Sequence, residues 1–160
     1  MNNLDQPIPT EKPAITAKNS QHSALTVAIS SGKGGVGKTN ITTNLGIALA
    51  KAGKKVCVFD ADTSLANINI LLGQSPEYTL EHFLKKQMPI QDVILEGPSG
   101  LKIVPSATGI TDFALLNKEQ QSRLLHALEQ LEQEFDYILI DTAAGIGDSV
   151  IRFIQSAQYS

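Results

Sequence analysis

The sequence predicts an α/β fold in which a parallel β-sheet carries helices on both faces. Short apolar runs alternate along the chain with segments of helical period. The runs are continuously apolar, which is typical of parallel strands buried on both faces. Glycines or acidic residues follow several of the runs, at the sheet edge where such folds bind ligands. We therefore expect a three-layer, Rossmann-like domain with a ligand site at the carboxyl ends of its strands.

Length and composition fit one globular domain. The 160 residues are 42% hydrophobic and 18% charged, which excludes a disordered or coiled-coil chain. No apolar run reaches the length of a membrane span, and no secretory signal is visible. Cys57 is the single cysteine, which excludes an internal disulfide and a thiolate metal cluster within one chain. The net charge of −3 argues against nucleic-acid binding, and we predict a cytoplasmic protein.

The two ends of the chain differ in composition. Residues 1–24 are polar and include Pro7, Pro9 and Pro13, which predicts a flexible N-terminal arm. A short segment that orders on a partner is the alternative for this arm. Residues 25–160 carry the predicted strands and helices of the folded domain.

The predicted elements follow in order from residue 25. A strand over 25–30 leads into a glycine cluster. The next helix has a predicted apolar face made of Ile41, Leu45, Ala48, Leu49 and Ala52. Gly53 stands where a C-terminal cap belongs. The remaining elements are a strand over 55–60, helices over 65–72 and 80–87, a helical turn within 89–96, a strand over 101–104, a helix over 118–135, a strand over 136–141 and a helix over 149–158.

A phosphate-binding motif lies between the first strand and the first helix. Residues 32–39 read Gly-Lys-Gly-Gly-Val-Gly-Lys-Thr and satisfy the pattern G-x-x-x-x-G-K-S/T. Glycines let successive N–H groups turn toward phosphate oxygens, and the helix N-terminus favours an anion. Lys38 supplies positive charge to the outer phosphates, and the Thr39 hydroxyl can bind Mg²⁺. A glycine-rich turn without ligand is the alternative. The predicted nucleotide-binding residues here are Gly32, Lys33, Gly34, Gly35, Val36, Gly37, Lys38, Thr39 and Asn40.

Lys33 gives this loop a second lysine, directly after the first glycine. With it, the sequence resembles the MinD/ParA family of P-loop ATPases, which has this deviant form of the Walker A motif. The resemblance implies that the chain binds ATP and Mg²⁺. It also implies that Lys33 reaches the nucleotide of a facing subunit in an ATP-dependent homodimer. A solvated loop lysine is the alternative for Lys33.

Acidic residues end two of the predicted strands. Asp60 and Asp62 close the second strand, and Asp141 closes the fourth; solvated strand-end turns are the alternative. The resemblance implies that Asp62 orients the attacking water, Asp60 lies near the magnesium and Asp141 holds it. It further implies that Gly145, in a second switch, senses the γ-phosphate. The predicted catalytic residues are thus Lys33, Lys38 and Asp62, and the predicted metal-site residues are Thr39, Asp60 and Asp141.

Further segments indicate which branch of this family the sequence resembles. Residues 60–73 and 141–150, together with 104–107, look like the corresponding segments of the FleN/FlhG flagellar-number regulators. That family sets flagellar number or placement through the GTPase FlhF, a flagellar transcription regulator, or both, and it associates peripherally with the inner membrane. Within these 160 residues nothing supports membrane binding, and Pro7 and Pro9 oppose the family's N-terminal activating helix. The domain of that family continues further, so the resemblance implies that residues 25–160 are the N-terminal part of a P-loop ATPase domain. We therefore expect a C-terminally truncated chain.

Other interpretations remain open. A truncated, non-catalytic remnant or an interaction protein would keep the loop without completing a nucleotide site. A division-site or DNA-segregation ATPase of the same family would share both loop and fold. The loop reads phosphates and not the base, so the choice of ATP over GTP comes from the resemblance.

Overall fold

The centre of the molecule is a five-stranded, mostly parallel sheet. The computed structural model of the chain describes residues 23–62, 68–86, 88–106 and 116–143. The strands are β1 (Leu25–Ile29), β2 (Val56–Ala61), β3 (Leu95–Glu96), β4 (Lys102–Val104) and β5 (Tyr137–Thr142). Their order is β1-β5-β2-β4-β3, and every pair is parallel except β3 with β4. The predicted α/β fold with a parallel sheet is therefore confirmed.

Helices cover both faces of this sheet, in three layers. They are α1 (Lys38–Lys51), α2 (Ile68–Leu71), α3 (Leu80–Lys86) and α4 (Lys118–Glu134). On one face, α1 and α2 pack in a cluster whose buried members are Val56, Val58, Ile68, Leu101, Ile103 and Leu139. On the other face, α3 and α4 pack in a larger cluster that includes Phe59, Leu80, Phe83, Leu124, Leu131 and Ile138. The carboxyl ends of β1, β2 and β5 lie between these two layers.

One predicted element is wrong in part. The segment 89–96 contains a short 3-10 helix, Ile90–Asp92, but it then continues into β3, an edge strand antiparallel to β4. Two residues are too few for an apolar period to reveal a strand. Of the predicted helix over 65–72, residues 68–72 are described, and α2 covers Ile68–Leu71 of them. The predicted arm up to residue 22 and the predicted helix over 149–158 lie outside them.

The buried face of α1 also differs from the predicted one. Ile41 is 58% exposed, and Leu45, Ala48 and Ala52 are exposed as well. The helix instead buries its small residues Thr42, Thr43 and Gly46. A Cβ atom at Gly46 would lie only 3.0 Å from Leu101 Cδ1 and 3.1 Å from Val58 Cγ2. Close approach to the sheet, rather than apolar area, therefore selects the packed face of α1.

The two edges of the sheet have different character. At one edge, β3 is two residues long, and Glu96 forms an ion pair with Lys102 at 2.9 Å. At the other edge, β1 is five residues long, pairs with β5 only among the described residues, and contains no charged side chain. Short length and charge are the usual protection of an edge strand. Within the described structure, the β3 edge has that protection and the β1 edge does not.

Candidate functional site

The glycine-rich loop joins the end of β1 to the start of α1. Gly35 and Gly37 have φ angles of 72° and 93°, a backbone region that side-chain-bearing residues rarely adopt. Gly37 is the N-cap of α1 and supplies no side-chain cap. Because residues 32–36 are exposed and open space surrounds Gly32, Gly35 and Gly37, the first N–H groups of α1 are accessible to an anion.

Lys38, Thr39 and Asn40 form the first turn of α1. Lys38 is 8% exposed and Thr39 is half-buried, so both residues lie on the inner side of the helix. Asn40 is exposed, and its carbonyl accepts a hydrogen bond from the Asn44 amide at 2.8 Å. The structure brings Lys38 and Thr39 toward the carboxyl ends of the strands, and nucleotide binding by Asn40 stays a prediction.

A pair of buried aspartates lies beside this turn. Asp60 on β2 and Asp141 on β5 are register partners, and each is 1% exposed. Asp60 Oδ1 accepts from the Asp62 N–H at 3.1 Å, and Asp141 Oδ1 lies 3.3 Å from the Thr42 hydroxyl. The Oδ2 atom of each aspartate is buried without a hydrogen-bond partner in the described structure. Neighbouring positions of β2 and β5 therefore each carry one orphaned carboxylate oxygen.

Burial makes ionisation of this pair costly. Burial first, and the neighbouring charge of Asp141 second, together raise the pKa of Asp60 to about 7. Burial also raises the pKa of Asp141, although hydrogen bonds from Thr39 and Thr42 oppose that shift. A bound cation would remove this penalty, and hard cations such as Mg²⁺ prefer oxygen ligands. The donors present, two aspartates and the Thr39 hydroxyl, therefore fit Mg²⁺.

The remaining predicted site residues are spread more widely. Asp62 follows β2 directly, and its carbonyl accepts from the Ser106 hydroxyl at 2.9 Å. Lys33 is exposed at the outer side of the loop, where its carbonyl accepts from the Ser31 hydroxyl. Gly145 lies outside the described residues. In the described ranges, no three His, Cys, Asp or Glu side chains form a metal-binding group.

Three hydroxyl residues of the site were given no role from sequence, although Ser106 and Thr142 lie in the segments 104–107 and 141–150 that carry the resemblance. Thr42 lies near Asp141, Ser106 donates to Asp62, and Thr142 donates to the Ile29 carbonyl at 2.9 Å. All three are buried. Their partners are 99, 44 and 113 residues away in sequence, so no local pattern signals them. The one available signal is position, because Ser106 and Thr142 lie at the carboxyl ends of predicted strands.

A strand, a glycine loop, a helix that begins with Lys-Thr and a neighbouring strand carrying a buried acid define the P-loop class of nucleoside-triphosphate-binding proteins. In agreement, a family model described as an AAA domain matches residues 24–159. The chain is 43% identical over 139 residues to the antiactivator FleN of Pseudomonas aeruginosa, covering 87% of this chain and 50% of FleN. It is 37% identical over 131 residues to the flagellum site-determining protein YlxH of Helicobacter pylori, covering 82% of this chain and 45% of YlxH.

Solved structures agree with these relatives. The septum site-determining protein MinD of Pyrococcus horikoshii, complexed with Mg-ADP, superposes with a TM-score of 0.64 and 30% identity over 83% of this chain and 54% of MinD. The chain belongs to the MinD/ParA-type family of P-loop ATPases. It spans about half the length of the relatives that it matches. None of the helices in the described ranges is long and apolar enough to cross a membrane.

Proposed function

We propose that this chain is the nucleotide-binding part of a Mg²⁺-dependent ATPase switch that dimerises on ATP. One observation carries the proposal: the accessible amino end of α1 and the buried pair Asp60 and Asp141 both lie at the carboxyl ends of the strands. A phosphate chain on the loop would there lie beside a cation held by the acids. The Mg-ADP bound by the related MinD supports the same ligands here.

Each residue of the site has a distinct part in binding. The Lys38 ammonium neutralises the outer phosphates, and the loop N–H groups hold phosphate oxygens. The Thr39 hydroxyl and the Asp141 carboxylate would hold Mg²⁺, with Asp60 beside them. When bound, Mg²⁺ offsets the negative charge of the phosphates. The orphaned Oδ2 atoms of Asp60 and Asp141 support this assignment.

Hydrolysis and dimerisation use the other predicted residues. The Asp62 carboxylate orients the water that attacks the γ-phosphate, as phosphoryl transfer depends largely on positioning. Lys33, exposed on the loop, extends to the nucleotide of a second subunit. Gly145 contacts the γ-phosphate after ATP binds. Hydrolysis then removes the contacts that hold the dimer, which makes the protein a switch.

Dimerisation is testable by light scattering. The wild-type chain should become a dimer with Mg²⁺ and a non-hydrolysable ATP analogue, and it should remain a monomer with ADP. Lys33→Ala should bind the analogue and stay monomeric, because it loses only the contact across the interface. Lys54→Ala, at an exposed lysine after α1, should behave as wild type. Dimerisation of Lys33→Ala to the wild-type extent would contradict the assigned role of Lys33.

For the cellular role, we propose that the protein is cytoplasmic and regulates the number or placement of flagella. Similarity to FleN and YlxH supports this role. The expected partners are an FlhF-type GTPase or a flagellar transcription regulator. Selection of the division site is the second candidate, because the chain is also 30% identical to the septum site-determining MinD of P. horikoshii.

Complementation separates these two roles. Expressed in a P. aeruginosa strain without FleN, the chain should return the number of flagella per cell to that of the parent strain. The Lys38→Ala variant should not, and Lys54→Ala should. Correction of septum placement in a strain without MinD, with no effect on flagella, would instead favour the second candidate.

A further inference from the structure

Ser106 connects two strand ends at the edge of the site. It lies two residues beyond β4 and is 1% exposed. Its hydroxyl donates to the main-chain carbonyl of Asp62 at 2.9 Å, and Asp62 directly follows β2. Because β2 and β4 are parallel neighbours, the bond joins the carboxyl ends of adjacent strands. Neither the phosphate-binding motif nor the acid pair includes Ser106.

The main chain of Asp62 is held on both sides. Its N–H donates to Asp60 Oδ1 at 3.1 Å, and its carbonyl accepts from Ser106. The direction of a side chain depends on the φ and ψ angles of its own residue. Hydrogen bonds to both its N–H and its carbonyl restrain these angles, and they therefore restrain the direction in which the Asp62 side chain leaves the main chain. Loss of the Ser106 bond would leave one side of Asp62 without that restraint.

The two residues before Ser106 are held by neighbouring elements of the fold. Val104 is the register partner of Phe59 in the sheet. The carbonyl of Pro105 accepts from the N–H of Leu80, the first residue of α3, at 3.1 Å. The ring of Pro105 further restricts the backbone just before Ser106. The hydroxyl is thus anchored by the sheet and by α3, independently of the phosphate-binding loop.

We propose that Ser106 is a positioning residue for ATP hydrolysis, which holds the main chain of Asp62 so that its carboxylate faces the attacking water. This inference rests on the proposed function, in which Asp62 orients that water. In this role Ser106 acts through Asp62 on the chemical step and not on the binding of ATP. Its removal should therefore change the rate of hydrolysis and leave the binding of ATP unchanged.

Steady-state hydrolysis by the full 160-residue chain tests this role. Ser106→Ala should lower kcat by about 10- to 100-fold, the loss typical of a misplaced catalytic group, with KM for ATP unchanged. Ser106→Thr keeps the hydroxyl and should recover most of the rate. The rise in Tm with Mg²⁺ and ATP, measured for each variant, checks that it folds and binds.

A double-mutant cycle with Asp62 separates positioning from a general structural role. Asp62→Ala removes the carboxylate but keeps the main-chain carbonyl that Ser106 contacts. If Ser106 acts through that carboxylate, adding Ser106→Ala to Asp62→Ala should not lower kcat further, because the two effects are coupled. A purely structural role would lower kcat by the same factor in both backgrounds.

Each remaining outcome decides the question. An unchanged kcat in Ser106→Ala, a change in KM alone or equal losses in both backgrounds would overturn the role of Ser106 while the proposed function stands. A wild-type chain that binds ATP without hydrolysing it would overturn the hydrolytic roles of both Asp62 and Ser106. A wild-type chain whose Tm does not respond to Mg²⁺ and ATP would overturn the proposed function, and this inference with it.

Discussion

Asp60 and Asp141 are register partners on the neighbouring strands β2 and β5, and each is 1% exposed. Burial raises both pKa values, to about 7 for Asp60. Two buried negative charges close together are unfavourable unless a cation compensates them. The pair therefore makes the stability of the fold dependent on pH and on bound metal.

The raised pKa of Asp60 predicts that, without metal, the folded chain loses stability as the pH rises. Its pKa rises from 3.8 to about 7 on folding, so the folded state binds the proton more tightly than the unfolded state. The stabilisation is complete below about pH 4 and is lost as the pH rises through 7. Asp60→Asn cannot ionise, and its Tm should fall less between pH 5 and pH 8 in EDTA.

The matched control for this experiment is Asp92→Asn, at an exposed aspartate of the 3-10 helix. Its Tm should follow the wild-type profile. For the wild-type chain at pH 8, Mg²⁺ added with nucleotide should restore Tm, because the cation compensates the ionised pair. Identical pH profiles for Asp60→Asn and the wild type would show that Asp60 does not carry this dependence.

Thr142 should contribute to stability through its hydroxyl. That hydroxyl is buried and donates to the Ile29 carbonyl at 2.9 Å, which joins β5 to the end of β1. Thr142→Val keeps the volume and leaves the carbonyl without this donor, at a cost of about 1–3 kcal/mol. The free energy of unfolding in urea measures the loss.

Thr43→Val is the control for Thr142. The Thr43 hydroxyl is equally buried, but it has no hydrogen-bond partner within the described part of the chain. Its replacement by Val should leave the free energy of unfolding unchanged or raise it slightly. Equal losses in the two variants would mean that the bond to Ile29 contributes nothing specific.

Close packing of α1 predicts that Gly46 does not tolerate a larger side chain. Leu101 and Val58 lie about 3 Å from where its Cβ would stand. Gly46→Val should overpack this contact and cost about 1–3 kcal/mol in urea unfolding. Ala48→Val, on the exposed face of the same helix, should cost much less. Valine has a higher helix propensity than glycine, so propensity cannot cause a loss at Gly46. A cost no larger than that of Ala48→Val would therefore contradict close packing at this position.

Asn117 should stabilise the start of α4. Its side chain accepts from the Gln120 N–H at 2.9 Å, and the Gln120 side chain accepts from the Asn117 N–H at 3.1 Å, which is a capping box. Asn117→Ala should cost about 0.5–2 kcal/mol, measured by thermal unfolding. Gln130→Ala, exposed near the end of the helix, should leave Tm nearly unchanged. A loss no greater than that of the control would contradict the capping role.

The strands and the loop were predictable because their signals are local. A short apolar run bounded by turn signals indicates a buried strand, and the glycine loop has a fixed spacing that its chemistry requires. The strands β1, β2 and β5 accordingly lie within a residue or two of the predicted ranges. The short strand β3 has too few residues to produce such a signal.

Other features depend on contacts that no local pattern contains. The apolar period of α1 favoured Ile41 and Leu45, but the helix approaches the sheet through Thr42, Thr43 and Gly46. Which face packs depends on the side chains of Val58 and Leu101, which come from other elements. The hydroxyls of Ser106 and Thr142 likewise meet partners that only the assembled sheet brings close.

The most direct test of the central claim is thermal unfolding with and without Mg²⁺ and ATP. At about 100 times the dissociation constant, ATP should add ~2.7 kcal/mol of stability, which raises Tm by about 5–10 °C in a chain of this size. Lys54→Ala should show the same rise. Lys38→Ala should unfold cooperatively and show little or none, because it lacks the charge that faces the phosphates. A wild-type Tm that does not change with nucleotide, or an equal rise in Tm for Lys38→Ala, would contradict a phosphate site at this loop.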